Sequence, residues 1–445
     1  MDRPPPQKGY AILLAYHFPP MIGAASQRAA AFVRHLPAMG WEPIVIATRA
    51  GFFHRDSRVE IPAVTVRRTA SPELTSVLHR LFRPRDAAED DGTGVVRPIE
   101  GGPIVGAGRR FVREWVYVPD GQFGWIPFAA AAARRTLEAL PGPAVLFSTS
   151  VPHSAHLAAA RVANRKQIPW VAEFRDPWSS SRGAYKRSRA RARLDLALES
   201  RILARADALV VTADRTAADF RAIHPSLGPD EVHVVRNGFD AVDLALTPPR
   251  RTEPLSLVFL GNVPLDISPE PLLRAVGRVA EARPAEVELR VVGPPGMWEE
   301  PAARLGNPPW LSLEGLVPPS EAQQAIRSAS ANVLYLPGNP YRLPVAAKFY
   351  EYLGARRPIL AVLPTESEME SPLGQRFGDV RVVYPGDDDG LEAAITRLLE
   401  EHLAGRLEEP VTPSEPLDEL SWKAQVRRLA EVFDAVASGR RSTPR

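Results

Sequence analysis

The 445-residue chain contains no cysteine, which excludes disulfide bonds, thiolate metal sites and cysteine nucleophiles. It also lacks an uninterrupted apolar run of about 18 residues, the length that a membrane-spanning helix needs. The opening residues, MDRPPPQK, contain no apolar region of the kind that a signal peptide has. We therefore expect a cytoplasmic protein, with peripheral contact at the inner face of the membrane as a second expectation.

The sequence indicates neither a dinucleotide-binding loop nor a metal site. No Gly-x-Gly-x-x-Gly follows the first strand of either half of the chain, which weakens an NAD or FAD interpretation, and we expect no cofactor. The acidic run at 387–389 lies where a helix starts, and carboxylates there cap the helix and complement its dipole. We therefore expect no metal site.

The charges are unevenly distributed. The whole chain has 55 Lys and Arg against 52 Asp and Glu, but the first half is basic and the second half is acidic. A basic half favours an anionic partner, such as a phosphorylated acceptor or a membrane surface. The alternative is that it reflects an arginine-rich composition. We expect no nucleic-acid partner.

Apolar strands alternate with helical patterns twice along the chain, which predicts two α/β domains with parallel sheets. We place them at 1–245 and 254–410, joined by a proline-rich linker. A C-terminal segment, 411–445, contains a helix whose apolar face predicts that it packs on a domain. A ligand is expected in the cleft between the two domains. The predicted strands are 10–15, 43–47, 144–148, 170–174, 208–212, 232–235, 256–260, 287–292, 331–336, 359–363 and 380–384.

The stretch at 343–354, LPVAAKFYEYLG, predicts a helix with Pro344 in its first turn and Gly354 just past its end. Lys348 and Glu351 are three residues apart and share a face. With the free N–H groups of the helix start, they suit a nucleotide diphosphate whose ribose hydroxyls bond the carboxylate. A capped surface helix with one ion pair is the alternative.

Polar residues follow two predicted strands of the first domain. His153 comes after the strand at 144–148, and Arg175 and Asp176 follow the strand at 170–174. Ligands of open parallel sheets lie beyond the carboxyl ends of the strands, so these positions predict a cleft. A basic helix is predicted over 182–205, either as a solvated face or as a contact with anions or a membrane.

Several motifs occur together in a characteristic order, and in combination they resemble glycosyltransferase family 4, the retaining nucleotide-sugar transferases of the GT-B fold. The motifs are HFPP at 17–20 with Gly23 and Arg28, TSVPHS at 149–154 with His156, EFRDPW at 173–178, VRNGFD at 235–240, and KFYEYL at 348–353 with RPIL at 357–360.

The resemblance implies two facing Rossmann-like domains with an interdomain cleft and a C-terminal crossover helix. It also implies metal-independent transfer of a sugar, with retention, from a UDP- or GDP-sugar to an acceptor hydroxyl. The acceptor would be a glycan, a lipid-linked molecule or a small molecule, in glycan, polysaccharide or glycolipid synthesis.

The resemblance also assigns roles to single residues. Glu351 matches the carboxylate that binds the donor ribose, Gly23 the loop near the diphosphate and sugar, and Arg175 and Asp176 match cleft residues at a strand end. His153 is the better histidine for contacting the transferred sugar or accepting a proton, because His156 lies further into the following helix. The expected catalytic residues are His153, Lys348, Arg175 and Asp176, and the expected donor-binding residues are Gly23, Arg28, Gly261, Asn262, Lys348 and Glu351.

The chain departs from the family pattern at two positions. Leu343 stands where many members have a glutamate, and Asn262 follows Gly261 where many have an arginine. The leaving diphosphate would then be stabilised by Lys348, Arg342, Arg28 or backbone N–H groups. A non-catalytic nucleotide- or glycan-binding protein is the alternative hypothesis. A nucleotide-sugar epimerase is a third, and it should need carboxylates in the cleft.

Overall fold

The computed structural model divides the chain into two compact units. Unit 1 comprises Met1–Arg236 and Trp422–Arg445, and unit 2 comprises Asn237–Ser421. The residues that the structure describes are 7–21, 23–49, 63–72, 111–166, 168–176, 178–179, 187–240, 249–250, 252–263, 267–338 and 345–439.

Unit 1 contains a seven-stranded sheet in the order β3-β2-β1-β4-β5-β6-β7, and every adjacent pair of strands is parallel. Its elements in chain order are β1 (Gly9–Leu14), α1 (Ala24–His35), β2 (Trp41–Thr48), β3 (Thr65–Thr69), α2 (Ile126–Glu138), β4 (Ala144–Ser150), α3 (Ser154–Lys166), β5 (Trp170–Phe174), α4 (Arg189–Leu203), β6 (Ala208–Val211), α5 (Asp214–Ile223) and β7 (Val232–Val234).

Unit 2 repeats this plan with a six-stranded sheet in the order β10-β9-β8-β11-β12-β13, again parallel throughout. Its elements are β8 (Leu255–Leu260), α6 (Glu270–Ala282), β9 (Val287–Val292), α7 (Glu299–Arg304), β10 (Leu311–Gly315), α8 (Pro319–Ser328), β11 (Ala331–Tyr335), α9 (Ala347–Ala355), β12 (Ile359–Val362), α10 (Leu373–Phe377), β13 (Val380–Val383) and α11 (Asp388–Leu403).

Each sheet reverses its strand order once. In unit 1 the reversal lies between β1 and β4, and in unit 2 it lies between β8 and β11. The chain leaves these paired strands in opposite directions, which opens a crevice at their carboxyl ends where ligands of such folds bind. The two reversals therefore mark where a site is to be sought in each unit.

The predicted parallel α/β architecture is confirmed, and each predicted strand is found with small shifts at its ends. The sequence does not predict β3 and β10. Both lie at the edge of a sheet and have many exposed or half-exposed residues. An edge strand with a solvated face has no continuous apolar run, so the signal that identifies buried parallel strands is missing.

The predicted limits of α9 are wrong. The helix starts at Ala347, and Pro344 lies outside the described residues. Gly354 lies inside the helix, and the left-handed residue after its end is Arg356, with φ of 56°. A Cβ on Gly354 would lie 2.7 Å from the Phe239 ring, so this glycine provides room for close packing and does not end the helix.

The basic helix is also shorter than predicted. α4 begins at Arg189, and the Ser188 side chain caps it by accepting a hydrogen bond from the Arg191 N–H. The predicted start at 182–186 lies outside the described residues. In the described ranges, no helix has both the length and the apolar character that crossing a bilayer requires.

The division between the units differs from the predicted domain limits. It lies between Arg236 and Asn237, ahead of the predicted linker, and residues 411–421 go with unit 2. The Arg236 N–H donates to the Gln425 side chain, and both residues belong to unit 1. Phe239, three residues later, packs against Gly354 of unit 2. The change of unit therefore occurs over a few residues and precedes the proline-rich stretch.

The last helix, α12 (Trp422–Ala437), is part of the unit 1 core. The Phe433 ring lies 5.7 Å from the Trp41 ring and 5.7 Å from the Phe147 ring, measured between centroids. The Trp41 indole N–H donates to Asp434 at 3.0 Å. α12 and α1 cover one face of the unit 1 sheet, while α2, α3, α4 and α5 pack on the other.

We predict that Phe433→Ala destabilises unit 1 by about 3–5 kcal/mol, because it leaves a cavity among aromatic rings that cannot fully collapse. Calorimetry of the full chain should show a lower melting temperature. Arg427→Ala, an exposed change on the same helix, is the matched control and should melt close to the unchanged protein. Equal melting of both variants would contradict an integral role for α12.

Candidate active site

Gly23 lies at the carboxyl edge of unit 1, where the chain passes from β1 into α1. Its φ of 127° is a backbone conformation that favours glycine, and its carbonyl accepts the N–H groups of Ser26 and Gln27. Gly23 is exposed, and a Cβ there would have no neighbour within 4 Å. The backbone conformation, and not crowding within the protein, therefore accounts for the glycine, and the space beside it is open.

Arg28 does not occupy the position that the sequence predicts. Arg28 is buried, and only 1% of its surface is exposed. Its guanidinium donates to Glu173 Oε1 at 2.6 and 3.1 Å and to the carbonyls of Val235 and Arg236 at 2.8 and 2.7 Å. It also lies 4.6 Å from the centre of the Phe32 ring. A guanidinium buried in this way cannot reach a diphosphate, so the assignment of Arg28 to donor binding is corrected to a structural role.

Arg175 follows β5 and supports the neighbouring loop. Its Nε donates to the Ser150 carbonyl and its Nη2 donates to the Val151 carbonyl at 3.1 Å. Burial lowers the pKa of Arg175, and the carboxylates of Asp176 and Glu173 oppose that shift. Asp176 is exposed at the strand end. Arg175 therefore fixes the loop that carries His153, and Asp176 leaves a carboxylate facing solvent.

His153 lies at the end of that loop, immediately before α3. Its ring stacks on Trp178 with centroids 4.4 Å apart and planes 7° from parallel. Burial is the main cause that lowers its pKa well below the usual value, with smaller contributions from nearby cationic groups. Its Nδ1 and the Trp178 Nε1 are buried, and neither has a hydrogen-bond partner within the described part of the chain. Buried polar atoms are normally paired, so these two atoms lack a partner that a ligand or a water molecule would supply.

His156 has a different environment. Its Nδ1 lies 2.9 Å from the Ser148 hydroxyl, which accepts the Trp170 indole N–H at 2.9 Å. Burial lowers the pKa of His156 to about 3, so its ring is neutral. This chain of contacts ties α3 to β4 and β5, which gives His156 a positioning role, although its Nε2, like the His153 Nδ1, is buried without a hydrogen-bond partner among the described residues.

Two titratable residues of this edge of unit 1, Asp120 and His17, receive no role in the sequence analysis, although His17 opens the HFPP motif. Asp120 accepts hydrogen bonds from the Ser154 N–H at 2.9 Å and its hydroxyl at 2.6 Å, which caps α3, and burial raises the Asp120 pKa. His17 lies half-buried after β1; burial first, and then Arg175, lower its pKa to about 4. The strand-end position of His17 could have identified it, whereas Asp120 lies far from any predicted strand.

In unit 2, Gly261 and Asn262 follow β8 and contact Lys348 of α9. Gly261 has φ of 88°, and a Cβ there would lie 3.5 Å from Lys348 Nζ. That ammonium lies 3.4 Å from the Asn262 carbonyl and 4.2 Å from the centre of the Phe259 ring. The structure therefore brings these predicted residues together at the carboxyl edge of the sheet, where the strand order reverses.

The Lys348 and Glu351 pair is electrostatically unusual. Burial lowers the pKa of Lys348 to about 8, and Glu351 opposes the shift. Burial raises the pKa of Glu351 to about 7; Lys348 opposes that shift, and Asp240 adds to it. Both side chains are half-exposed. The carboxyl group titrates near neutrality, which leaves it able to accept or donate a hydrogen bond.

Tyr352 fixes α9 against the reversal point of the unit 2 sheet. Its hydroxyl accepts the Leu260 N–H at 2.8 Å and donates to the Val333 carbonyl at 3.2 Å. These partners belong to β8 and β11, the two strands between which the order reverses. The helix that carries Lys348 and Glu351 is therefore held by a buried side chain from the same helix.

A cavity of about 300 Å³ opens at the same edge of unit 2. The Tyr335 hydroxyl in its wall donates to the Ser268 carbonyl at 3.1 Å. A larger depression of about 680 Å³ lies on α11 among charged residues, away from the strand ends, and is a less suitable site. The smaller cavity is lined by residues that include Ile267, Tyr335, Gly338, Val362, Tyr384 and Leu391.

In the part of the chain that the structure describes, no group of three or more His, Asp and Glu side chains could hold a metal ion. Leu343 and Arg342, which the sequence analysis relates to the binding of the leaving diphosphate, lie outside the described residues.

Comparison with known proteins places this geometry in a class. The structure matches solved GT-B enzymes over nearly the whole chain. Sucrose-phosphate synthase from Thermosynechococcus elongatus aligns with a TM-score of 0.66 and 15% identity, covering 97% of this chain and 100% of that one. The Anabaena HepE protein, solved in complex with UDP, gives a TM-score of 0.57 and 12% identity, covering 97% and 98%. The lipopolysaccharide outer core galactosyltransferase WaaB gives 0.54 and 12%, covering 97% and 99%.

The family model that matches describes a glycosyl transferase 4-like domain and spans residues 23–238. The matched stretch covers most of unit 1 and includes Gly23, Arg28, His153, Arg175 and Asp176. No curated protein matches the chain. The chain therefore has the GT-B fold, and its residues 23–238 match a glycosyl transferase 4-like domain, in agreement with the resemblance that the sequence motifs indicate.

We predict that Arg28→Met lowers the stability of unit 1 by about 3–5 kcal/mol, because it leaves Glu173 buried without its partner. Thermal melting should reveal the loss, with Arg34→Met, an exposed change on the same helix, as the control. If Arg28 were instead a phosphate ligand, the variant would melt like the unchanged protein and lose only donor affinity.

We also predict a pH-dependent effect of Glu351→Gln on the ligand-free protein. A carboxyl group whose pKa is raised by folding, here from 4.5 to about 7, stabilises the folded state least at high pH. The penalty of ionising it develops between those two values. The variant should therefore melt above the unchanged protein at pH 8 and close to it at pH 5.

The matched control for this measurement is Glu321→Gln, an exposed change in unit 2. It should give no difference that grows between the two pH values. A Glu351→Gln variant whose melting temperature tracked the unchanged protein at both pH values would rule out a raised pKa at this position.

Proposed function

We propose that the protein is a retaining glycosyltransferase that moves a sugar from a nucleoside diphosphate sugar to an acceptor hydroxyl. The observation that carries the proposal is the Lys348 and Glu351 pair, which Tyr352 fixes at the reversal point of the unit 2 sheet. A cation and a carboxyl group on one helical turn suit a diphosphate next to a ribose. The UDP bound by the structurally similar HepE protein supports a donor of this class.

In this proposal, unit 2 holds the nucleotide. Glu351 accepts hydrogen bonds from the ribose hydroxyls, and Lys348 faces the diphosphate. Gly261 and Asn262 bring backbone close to the ammonium. The positive end of α9 adds to the attraction for an anion. With Arg28 buried in unit 1, Lys348 becomes the principal cation for the leaving group among the described candidates.

Unit 1 supplies the groups proposed for the sugar and the acceptor. The neutral His153 ring has an unpaired, buried Nδ1, which can accept a hydrogen bond or a proton from a hydroxyl. Gly23 allows close approach to the backbone at the start of α1, and Asp176 offers a carboxylate. Arg175 positions the His153 loop through its carbonyl contacts.

The chemistry of the transfer is a substitution at the anomeric carbon. The bond from this carbon to the phosphate oxygen breaks, and the electron pair leaves with the diphosphate. The acceptor oxygen forms the new bond, and its proton passes to a basic group. Negative charge grows on the phosphate in the transition state, so a positioned ammonium lowers the barrier more than it tightens substrate binding.

Incubating the full chain with a panel of UDP-, GDP-, ADP- and TDP-sugars and measuring released nucleoside diphosphate tests the proposal. Thermal melting in the presence of each nucleotide reports binding separately, because a ligand of the native state raises apparent stability. Binding and release, both weakened in Glu351→Ala, are the expected result. Binding without release under any acceptor condition would support a non-catalytic nucleotide-binding protein.

We predict that Lys348→Met reduces turnover by roughly 100-fold or more, the scale observed when one preorganised electrostatic donor is lost. The reduction should lie mainly in kcat, with a smaller change in donor KM. Arg274→Met, which alters an exposed unit 2 cation paired with Asp388, is the control and should retain turnover. Near-normal turnover of Lys348→Met would place the leaving-group charge on other groups.

A further inference from the structure

One face of unit 1 exposes many cations. The helices α2, α3 and α4 cover the same side of the sheet, since their buried residues belong to one core cluster. Their outward sides therefore share one surface, which we call the arginine surface. Its exposed cations are Arg134, Arg135, Arg161, Arg189, Arg193 and Arg201.

The described residues offer these cations few opposite charges. α3 contains no carboxylate, and α2 has one, Glu138. Both carboxylates of α4 point inward: Asp195 is buried and paired with Arg187 and Arg191, and Glu199 is buried and paired with His224. Neither helix-borne carboxylate of α4 is therefore available to the six exposed arginines. Within the part of the chain that the structure describes, this surface carries an excess of positive charge.

Large apolar side chains are exposed on the same helices and on the segment that leads into them. Phe111 is 62% exposed, Trp115 43%, Phe128 of α2 42% and Leu196 of α4 38%. Large exposed apolar patches are rare on soluble monomers and mark interaction surfaces.

The segment that contains Phe111 and Trp115 is fixed to α4. The Ser188 N–H donates to the Glu114 carboxylate at 2.7 Å, and the Arg191 guanidinium donates to the Glu114 carbonyl at 2.6 Å. Arg191 is itself buried and also binds the Pro119 carbonyl at 2.8 Å. The exposed aromatic rings are therefore held beside the start of the arginine-rich helix.

An open apolar groove of about 500 Å³ runs between α2 and α3. Arg134 and Arg161 line it together with apolar side chains, so it combines cations with an apolar floor. This combination suits a molecule with an anionic head and a hydrocarbon chain. The apolar lining includes Val118, Phe123, Ile126, Pro127, Ala130, Leu157 and Val162.

We propose that the arginine surface docks unit 1 on a membrane that contains anionic phospholipids. The arginines bind the headgroup phosphates, Phe111 and Trp115 enter the interface, and the groove accepts part of an acyl chain. Basic residues beside exposed aromatic rings are the features by which proteins lie on anionic bilayers. The docking does not depend on the proposed sugar transfer, so its test uses binding alone.

The test is sedimentation of the full chain with vesicles of phosphatidylcholine and with vesicles of equal phosphatidylcholine and phosphatidylglycerol. We expect binding to the anionic vesicles only, and weaker binding as salt is added. Arg189→Glu with Arg193→Glu should lower partitioning by at least about 30-fold, given the contribution of each basic residue near an anionic surface.

The matched control is Lys423→Glu with Arg427→Glu, two exposed changes with the same spacing on α12, which packs on the opposite face of the sheet. This pair should retain vesicle binding. Equal loss in both double variants, with unchanged melting temperatures, would show that only net charge matters and would overturn the proposal.

A second measurement reports the aromatic contact directly. Trp115 is the one exposed tryptophan in the described residues, so lipids brominated on their acyl chains should quench its fluorescence, and Trp115→Phe should abolish that quenching. No binding to anionic vesicles, or unchanged quenching in Trp115→Phe, would refute membrane docking. Binding of single-stranded RNA without vesicle binding would assign the surface to nucleic acid instead.

Discussion

The buried ion pair between Arg28 and Glu173 holds the carboxyl edge of unit 1 together. Arg28 comes from α1 and Glu173 from β5, and the pair also binds the Thr149 hydroxyl at the end of β4 and two carbonyls after β7. Desolvating two charges is costly, and it is offset only where hydrogen bonds satisfy both groups. Here the bonds come from the strand ends that carry the candidate site, so one interaction sets the positions of Gly23, the His153 loop and Arg175.

In unit 2, neutral groups hold the helix that carries the candidate site against the sheet. The Tyr352 hydroxyl links α9 to both strands at the reversal point, and Gly354 lets the Phe239 ring approach the helix backbone. The helix face that carries Lys348 and Glu351 then needs no further support. Among the described residues, neither side chain forms an ion pair with a third group, which leaves their charges available to a ligand and sensitive to pH.

The sequence predicted the parallel α/β architecture well because buried strands give continuous apolar runs, and it failed at the half-exposed edge strands. Lys348, Glu351 and His153 could be proposed as candidates from the sequence, since strand ends and helical spacing are local patterns. It could not show that Arg28 is buried, because its partner Glu173 lies far along the chain. Gly354 was misjudged for the same reason: the ring that requires the glycine comes from a distant residue.

Arginine illustrates why composition alone leaves function open. Arg357 is 1% exposed and donates to the carbonyls of Arg327 and Leu407, and Arg191 is buried against Glu114 and Pro119. Such arginines satisfy buried backbone groups and contribute nothing to the surface potential. Within α4, buried Arg191 and exposed Arg193 are two positions apart and point to different sides of the helix. Some arginines of the basic first half, such as Arg191, are therefore buried and bind backbone groups, whereas others, such as Arg193, are exposed. Only the helix geometry separates the two kinds.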